Sequence, residues 1–462
     1  MTSTEHSESV SASADFGLLS PQWVGSAVAE ATSDSAVLTA MVDVEVALVR
    51  AYETLGIAPA GMSVIVRAVA DTAPFDLADI ALRARSGGNP VIPLVKDLRA
   101  AVAAANGDAA SWVHRGATSQ DILDTALMLV ASRSIALILA DAEACVHALA
   151  GLADHHRRSI MAARTLTQHG VPTTFGLKAA GWLGGVSEAR KRLASTQFPV
   201  QWGGAGGTQA SFEMLGGAGT GARLSDAIAA TIGLASPPMP WQTQRAPVTR
   251  VGDALATLLD ALGTVSSDVL VLARPEIAEL SEPSSPGRGG SSAMPQKQNP
   301  ILSVLIQSAA RKAPGLAAEL HRSANAVDER PDGAWHVEWQ SLRELLRLAG
   351  GATAIAAELL AGLVVHPDAM LRNLRSSGPL IVAERLMLEF GPVVGSARMQ
   401  ELVSQTAADP GFDLAGALRA EPALEGVSNA TIEEALYPIA YLGDAELLID
   451  RALAAAVLEV QS

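Results

Sequence analysis

No proline interrupts the chain between Pro93 and Pro172. Within that gap, the segment from Thr118 to His156 keeps apolar residues at helical spacing. Thr118-Ser119-Gln120-Asp121 supplies an N-cap with an acid in the first turn. At ~1.5 Å per residue, one helix over this stretch spans roughly 60 Å, more than a compact domain covers. Such a helix needs a bundle to bury its apolar surface, and its length points to a bundle shared between subunits. Aromatic residues are only 4% of the chain while Ala and Leu are abundant, which favours closely packed helices over sheets. An all-α fold is therefore expected, with a central bundle of long helices.

The 462 residues suffice for two or three domains, at ~100–200 residues each. Hydrophobic residues are 49% and charged residues 18%, enough apolar material for a large core and too much for a disordered chain. Residues 1–17 are Ser-rich and acidic, without the basic start and apolar centre of a secretion signal, and are read as a disordered tail. Residues 18–115 are expected to form an N-terminal helical domain. Ser33 to Leu55 carries Met41, Val44, Leu48 and Ala51 at helical spacing, and Gly87-Gly88-Asn89-Pro90 marks a turn before a helix near Pro93. Residues 116–365 form the central domain. Its first long helix is followed by a loop around Gly170-Val171-Pro172, a second helix, a helix to about Glu276, and two more over Asn299 to Ser323 and Trp335 to about Val364. Residues 366–462 form a smaller C-terminal helical domain.

The net charge is −15. That leaves no basic footprint for nucleic acid, and an anionic membrane would repel the chain. An anionic substrate fits only where arginines and helix N-termini reverse the potential locally. The single cysteine, Cys145, excludes an internal disulfide and multi-cysteine metal sites, and its apolar helical surroundings read as core. No run of 18 apolar residues without charge occurs, so no membrane span is expected, and the location is taken as cytoplasmic.

Gly287 to Pro300 reads GRGGSSAMPQKQNP. Three glycines, two serines and two prolines exclude a regular helix or strand, and residues 284–300 are assigned as a loop at the rim of a site. Consecutive Gly-Gly-Ser-Ser N–H groups can converge on an anion. With Ser291, Ser292, Lys297 and Asn299 in nine residues, the loop suits an active-site lid. It resembles the GSSxMPxKxN signature of the fumarase/aspartase superfamily at every fixed position from Gly290 to Asn299. GATSQD (Gly116 to Asp121) and TQHGVPTTFG (Thr167 to Gly176) are similar to that superfamily's other two conserved regions. GNPVIPLV, FGLKAAGWL, PWQTQR and GAWHVEWQSL look most like the branch of 3-carboxy-cis,cis-muconate cycloisomerases, beside which lie nitrosuccinate lyases of actinobacterial secondary metabolism and antibiotic biosynthesis. PQKQN and His114-Arg115 depart from the cycloisomerase pattern.

The resemblance implies a three-domain fumarase/aspartase-type fold, a homotetramer and active sites shared between subunits. It also implies anti β-elimination from a small dicarboxylate or tricarboxylate. A base removes a proton beside a carboxylate, and the resulting dianion expels a leaving group to give fumarate. The specific expectation is nitrosuccinate to fumarate plus nitrous acid. The alternatives are 3-carboxy-cis,cis-muconate cycloisomerisation and a catalytically silent helical homologue. The chemistry needs preorganised dipoles around developing charge in a dry pocket. By resemblance Ser291 is the base, with Lys297 as its cation and Asn299 as a carboxylate donor; Ser292 is read as a turn hydroxyl. His169 is an acid or an orienting group, since a nitrite leaving group needs little protonation. Thr118 and Ser119 sit where helix N-terminal donors suit a carboxylate, and Thr118 also suits a plain N-cap. Asn89, Gln168, Arg245 and Arg330 are further substrate ligands, the arginines because a guanidinium grips a carboxylate twice; Arg330 can instead pair locally with Asp328-Glu329.

Other motifs do not complete. His336-x-Glu338 lacks the cysteine pair of a deaminase zinc site, and adjacent His155 and His156 face different ways on a helix. There is no GxxxxGK loop, GGAGGT lacks a preceding strand, and Gly289-Gly290-Ser291 does not complete GxSxG. No cofactor and no metal are expected.

Overall fold

The computed structural model describes residues 16–290, 294, 296–409 and 411–460. The fold is built almost wholly of helices. Those that position the site are α1 (Asp34–Thr54), α2 (Val91–Ala105), α3 (Ser119–His155), α4 (Phe175–Ala194), α5 (Ala246–Leu272), α6 (Ile301–Ser323), α7 (Gly333–Ala361) and α8 (Pro367–Ser376). Contacts divide the chain into two compact units. One comprises Met1–Asp141, Arg192–Asp260 and Ser308–Ala354; the other comprises Ala142–Lys191, Ala261–Gln307 and Ile355–Ser462.

Local sequence explains where the helices start. Ser33 caps α1, its hydroxyl accepting the Ala36 N–H at 3.1 Å. Gly88 adopts φ +72°, ending the preceding helix, and Asn89 accepts the Val91 N–H at 3.1 Å to open α2. Thr118 donates its N–H to the Asp121 carboxylate at 3.0 Å, so the predicted start of the long helix holds. α3 runs 37 residues without a break, about 55 Å.

In the first unit α1, α2 and the early turns of α3 supply one core. Leu48, Tyr52, Leu94, Leu98 and Ile122 are fully buried there, with Trp202 stacked on Phe212 at a centroid distance of 5.7 Å. Gly350 and Gly351 of α7 admit the N-terminal segment. A Cβ at 351 would lie 2.1 Å from the Gln22 carbonyl oxygen, and one at 350 would lie 2.5 Å from the Val28 side chain. Arg343 and Arg347 then bind the Thr32 carbonyl at 2.7 and 3.2 Å.

The second unit corrects one expectation. The stretch around Gly170-Val171-Pro172, read as a loop, is half of a β-hairpin: β1 (Ile160–Thr165) pairs antiparallel with β2 (Gln168–Thr174). Leu166 (φ +48°) and Thr167 (φ +74°) form the tight turn that right-handed strand twist prefers. Gly170 and Pro172 hid the strand because both usually break one. Pro172 is tolerated opposite Ala162, beside a register shift, because both strands of a two-stranded hairpin are edges. Ile160 and Ala162 pack into a second core with Leu374, Val382, Leu386 and Phe390. β3 (Leu280–Ser281) and β4 (Val364–Val365) make a short antiparallel pair.

Cys145 is fully buried, as its surroundings predict. α3 and α5 are long and apolar enough to cross a membrane, but 67% and 50% of their most apolar stretches are already covered inside the fold. Core packing thus accounts for much of that apolar surface.

Candidate active site

The first cluster lies at the start of α3. His114 sits at φ +56°, held by fully buried Glu45, which accepts its backbone N–H at 2.9 Å and contacts Nδ1 at 2.6 Å. Gly116 follows at φ +77°, its carbonyl accepting the Ser211 hydroxyl at 2.6 Å. Asp121, fully buried, accepts N–H groups from Thr118, Gly203 and Gly204 at 3.0, 2.7 and 3.1 Å. Burial nonetheless pushes its carboxyl up to about 6. This scaffold leaves Thr118 and Ser119 half-buried at the helix N-terminus. Arg330, from a segment 212 residues away, donates to the Thr118 hydroxyl at 2.5 Å. Thr118 Oγ1 accepts there, so its own proton and the other guanidinium N–H groups can still donate to a carboxylate.

Two other predicted ligands in this unit are committed inward. Asn89 is buried and holds the turn, its amide oxygen accepting from Val91 and one amide N–H donating to the Gly87 carbonyl at 3.2 Å. Arg245 is 2% exposed, with its guanidinium bound to Asp124, Glu338 and the Gln242 carbonyl. All five of its N–H donors are thereby used. Burial works against its charge, but the two carboxylates outweigh that and hold its pKa above the ordinary value. Trp335 also donates to Asp124, at 2.8 Å.

The second cluster is the hairpin. His169 lies opposite Arg164 in the ladder, and its Nδ1 is 2.7 Å from Ser377 Oγ. An open cleft of about 530 Å³ surrounds it, lined by Thr167, Gln168, His169, Ser376, Ser377 and Leu380, among others. Gln168 is exposed there, and its side-chain amide donates to the neighbouring Thr167 hydroxyl at 3.1 Å. Partial burial and the adjacent Arg164 cation hold the His169 pKa below its ordinary value, with Glu279 acting weakly the other way. That shift favours the neutral imidazole.

The third cluster is the glycine-rich loop. Ser291 and Ser292 fall outside the described residues. Lys297 is exposed, its backbone N–H bonded to the Met294 carbonyl at 3.0 Å. Asn299 closes the loop, donating both its backbone and side-chain N–H to the Gly289 carbonyl at 2.9 Å. Gly289 has φ +66°, and a Cβ there would lie 2.5 Å from the Asn299 carbonyl oxygen, so only glycine fits this neck. Glu282 anchors the outgoing helix α6 by accepting the Leu302 and Ser303 N–H groups at 3.0 and 2.7 Å.

Sequence reading missed Ser377, Glu279, Asn373 and Glu282. Glu282 meets the Leu302 N–H twenty residues on, across the glycine-rich loop, too far for a capping signal in the sequence. The others act across more than ninety residues and have none. Among the described residues, no group of three or more His, Cys, Asp or Glu is arranged to hold a metal.

A family profile described as Lyase matches residues 23–315. The chain is 48% identical over 456 residues to a nitrosuccinate lyase of Streptomyces davaonensis, covering 97% of this chain and 96% of that protein. It is 37% identical over 429 residues to a 3-carboxy-cis,cis-muconate cycloisomerase of Pseudomonas aeruginosa, covering 91% and 92% of the two chains. The fold superposes on the crystal structure of the 3-carboxy-cis,cis-muconate lactonizing enzyme from Pseudomonas putida with a TM-score of 0.88 at 30% identity, covering 96% of this chain and 100% of that one.

Proposed function

We propose, because this chain belongs to the fumarase/aspartase superfamily of lyases, that it eliminates nitrite from nitrosuccinate to leave fumarate. The observation that carries this reading is the near-full-length identity to the Streptomyces nitrosuccinate lyase, which exceeds the identity to the cycloisomerase. In nitrosuccinate the nitro group is on C2, and C3 lies beside the far carboxylate. The base takes a proton from C3, and the electron pair passes through the aci-carboxylate. The C2–N bond then breaks and nitrite departs with its pair.

The C2–H, activated by the nitro group, is the more acidic proton. Productive chemistry therefore depends on presenting C3 to the base and keeping C2–H away from it. Two carboxylate anchors achieve that orientation. Thr118, Ser119 and Arg330 supply one anchor, and Asn299 and the loop N–H groups supply the other. Ser291 is the base, made competent by loop N–H donors and the Lys297 cation. His169, in its neutral form, binds and orients rather than donating a proton, since nitrite is a weak base. Gln168 contributes at the cleft rim. The active chain is a homotetramer in the cytoplasm, with each site drawing on more than one subunit.

Incubating the purified protein with nitrosuccinate tests this directly, with fumarate followed by ultraviolet absorbance and nitrite by a diazo colour reaction. Equal release of the two supports the reading. Turnover of 3-carboxy-cis,cis-muconate without nitrite release would move the assignment to the cycloisomerase, which the Pseudomonas relative favours. No turnover of either substrate would leave a silent homologue.

A further inference from the structure

His169 is held in a closed ring of contacts that no part of the proposed elimination requires. It faces Arg164 across the hairpin ladder. Arg164 binds fully buried Glu279 with two hydrogen bonds, at 3.0 and 2.7 Å. Glu279 Oε1 also accepts from Asn373 Nδ2 at 2.8 Å, and the same amide donates to the Ile277 carbonyl at 2.8 Å. Asn373 lies on α8, and Ser377 follows at that helix's C-terminus. Ser377 returns to His169 Nδ1 at 2.7 Å. The buried carboxylate thus fixes the strand opposite His169 and the helix that delivers its hydroxyl partner.

The direction of that last bond follows from its neighbours. Among the described residues the Ser377 hydroxyl has no acceptor other than Nδ1 within hydrogen-bonding distance, while the neighbouring Ser376 donates its own to the Asn373 carbonyl at 2.6 Å. The Ser377 proton is then best placed on Nδ1. We propose that Ser377 is the positioning residue that locks neutral His169 in the Nε2–H tautomer, with that N–H turned to the cleft as a hydrogen-bond donor for an anionic oxygen. This rests on the reading of the cleft as the elimination site, where the oxygen belongs to a substrate carboxylate or the departing nitro group. A wrong tautomer would present a lone pair to an anion, and binding would weaken.

The ring nitrogens report the tautomer independently of turnover. In protein labelled with ¹⁵N-histidine, long-range ¹H–¹⁵N correlation at neutral pH gives the protonation of each nitrogen, and His169→Gln assigns the signals. Wild type should show His169 protonated on Nε2 alone. Ser377→Ala should show a tautomer mixture, and Ser377→Thr should restore the single form. With nitrosuccinate, Ser377→Ala should lower kcat/KM roughly tenfold, mainly through KM, with recovery in the threonine variant. An Nδ1–H signal in wild type, or an unchanged tautomer in Ser377→Ala, overturns the proposal. Circular dichroism would confirm that each variant is folded. Absence of nitrosuccinate turnover would refute the functional reading alone, because the NMR result stands without it.

Discussion

At the scale of single residues, chemistry depends on groups whose partners leave something unspent. Thr118 accepts from Arg330 yet keeps its own proton, whereas Arg245 has none left to offer. Replacing Thr118 by Ala should raise KM for a dicarboxylate about five- to tenfold with a smaller effect on kcat. Ser291→Ala should reduce kcat by several orders of magnitude and leave thermal unfolding unchanged; steady-state kinetics beside calorimetry separates the two. The lowered His169 pKa has a definite sign. If the neutral imidazole is the working form, kcat/KM stays level on moving down from pH 7. It falls only below the ordinary histidine range, once the ring takes a proton. A rate that climbs on mild acidification would show instead that imidazolium is required.

At the scale of elements, the start of α3 and the ion cluster behind it are each held by charges removed from water. Asp121 caps three N–H groups while burial raises its carboxyl to about 6. The unfolded chain titrates the same group near ~4. Between those values the fold binds more protons than the unfolded chain, so this group makes the protein more stable as pH falls from 6. Urea midpoints across that window should show the trend, and Asp121→Asn should flatten it. Arg245→Met would strand Asp124 and Glu338 together in the interior, and unfolding by urea should show a loss of about 3–5 kcal/mol. Arg245→Lys should recover little, because an ammonium cannot span both carboxylates with five donors.

At the scale of the whole molecule, the proposal that each site draws on several subunits has a simple test. Ser291→Ala and His169→Gln proteins, each impaired alone, should regain activity when unfolded and refolded together, because mixed tetramers contain some sites with neither lesion. Mixtures no more active than their components would restrict each site to one chain. The net charge of −15 gives this scale a further role, since a dianion must be met by local donors such as Arg330 and the Thr118 hydroxyl it binds.

The proline-free run, the N-cap before α3 and the glycine-rich loop were legible in the chain itself. Each is a local matter: backbone freedom, side chains reaching two or three residues, spacing along one helix. The hairpin was not legible, because Gly170 and Pro172 look like breakers until two edge strands pair around them. Nor could spacing reveal that Arg245 is sealed between Asp124 and Glu338, or that Glu279 ties Arg164 to Asn373 and so aims Ser377 at His169. Those facts are settled by which distant segments share a desolvated space. There a charge must find its counter-charge, and the partner's distance along the chain places no limit on the choice.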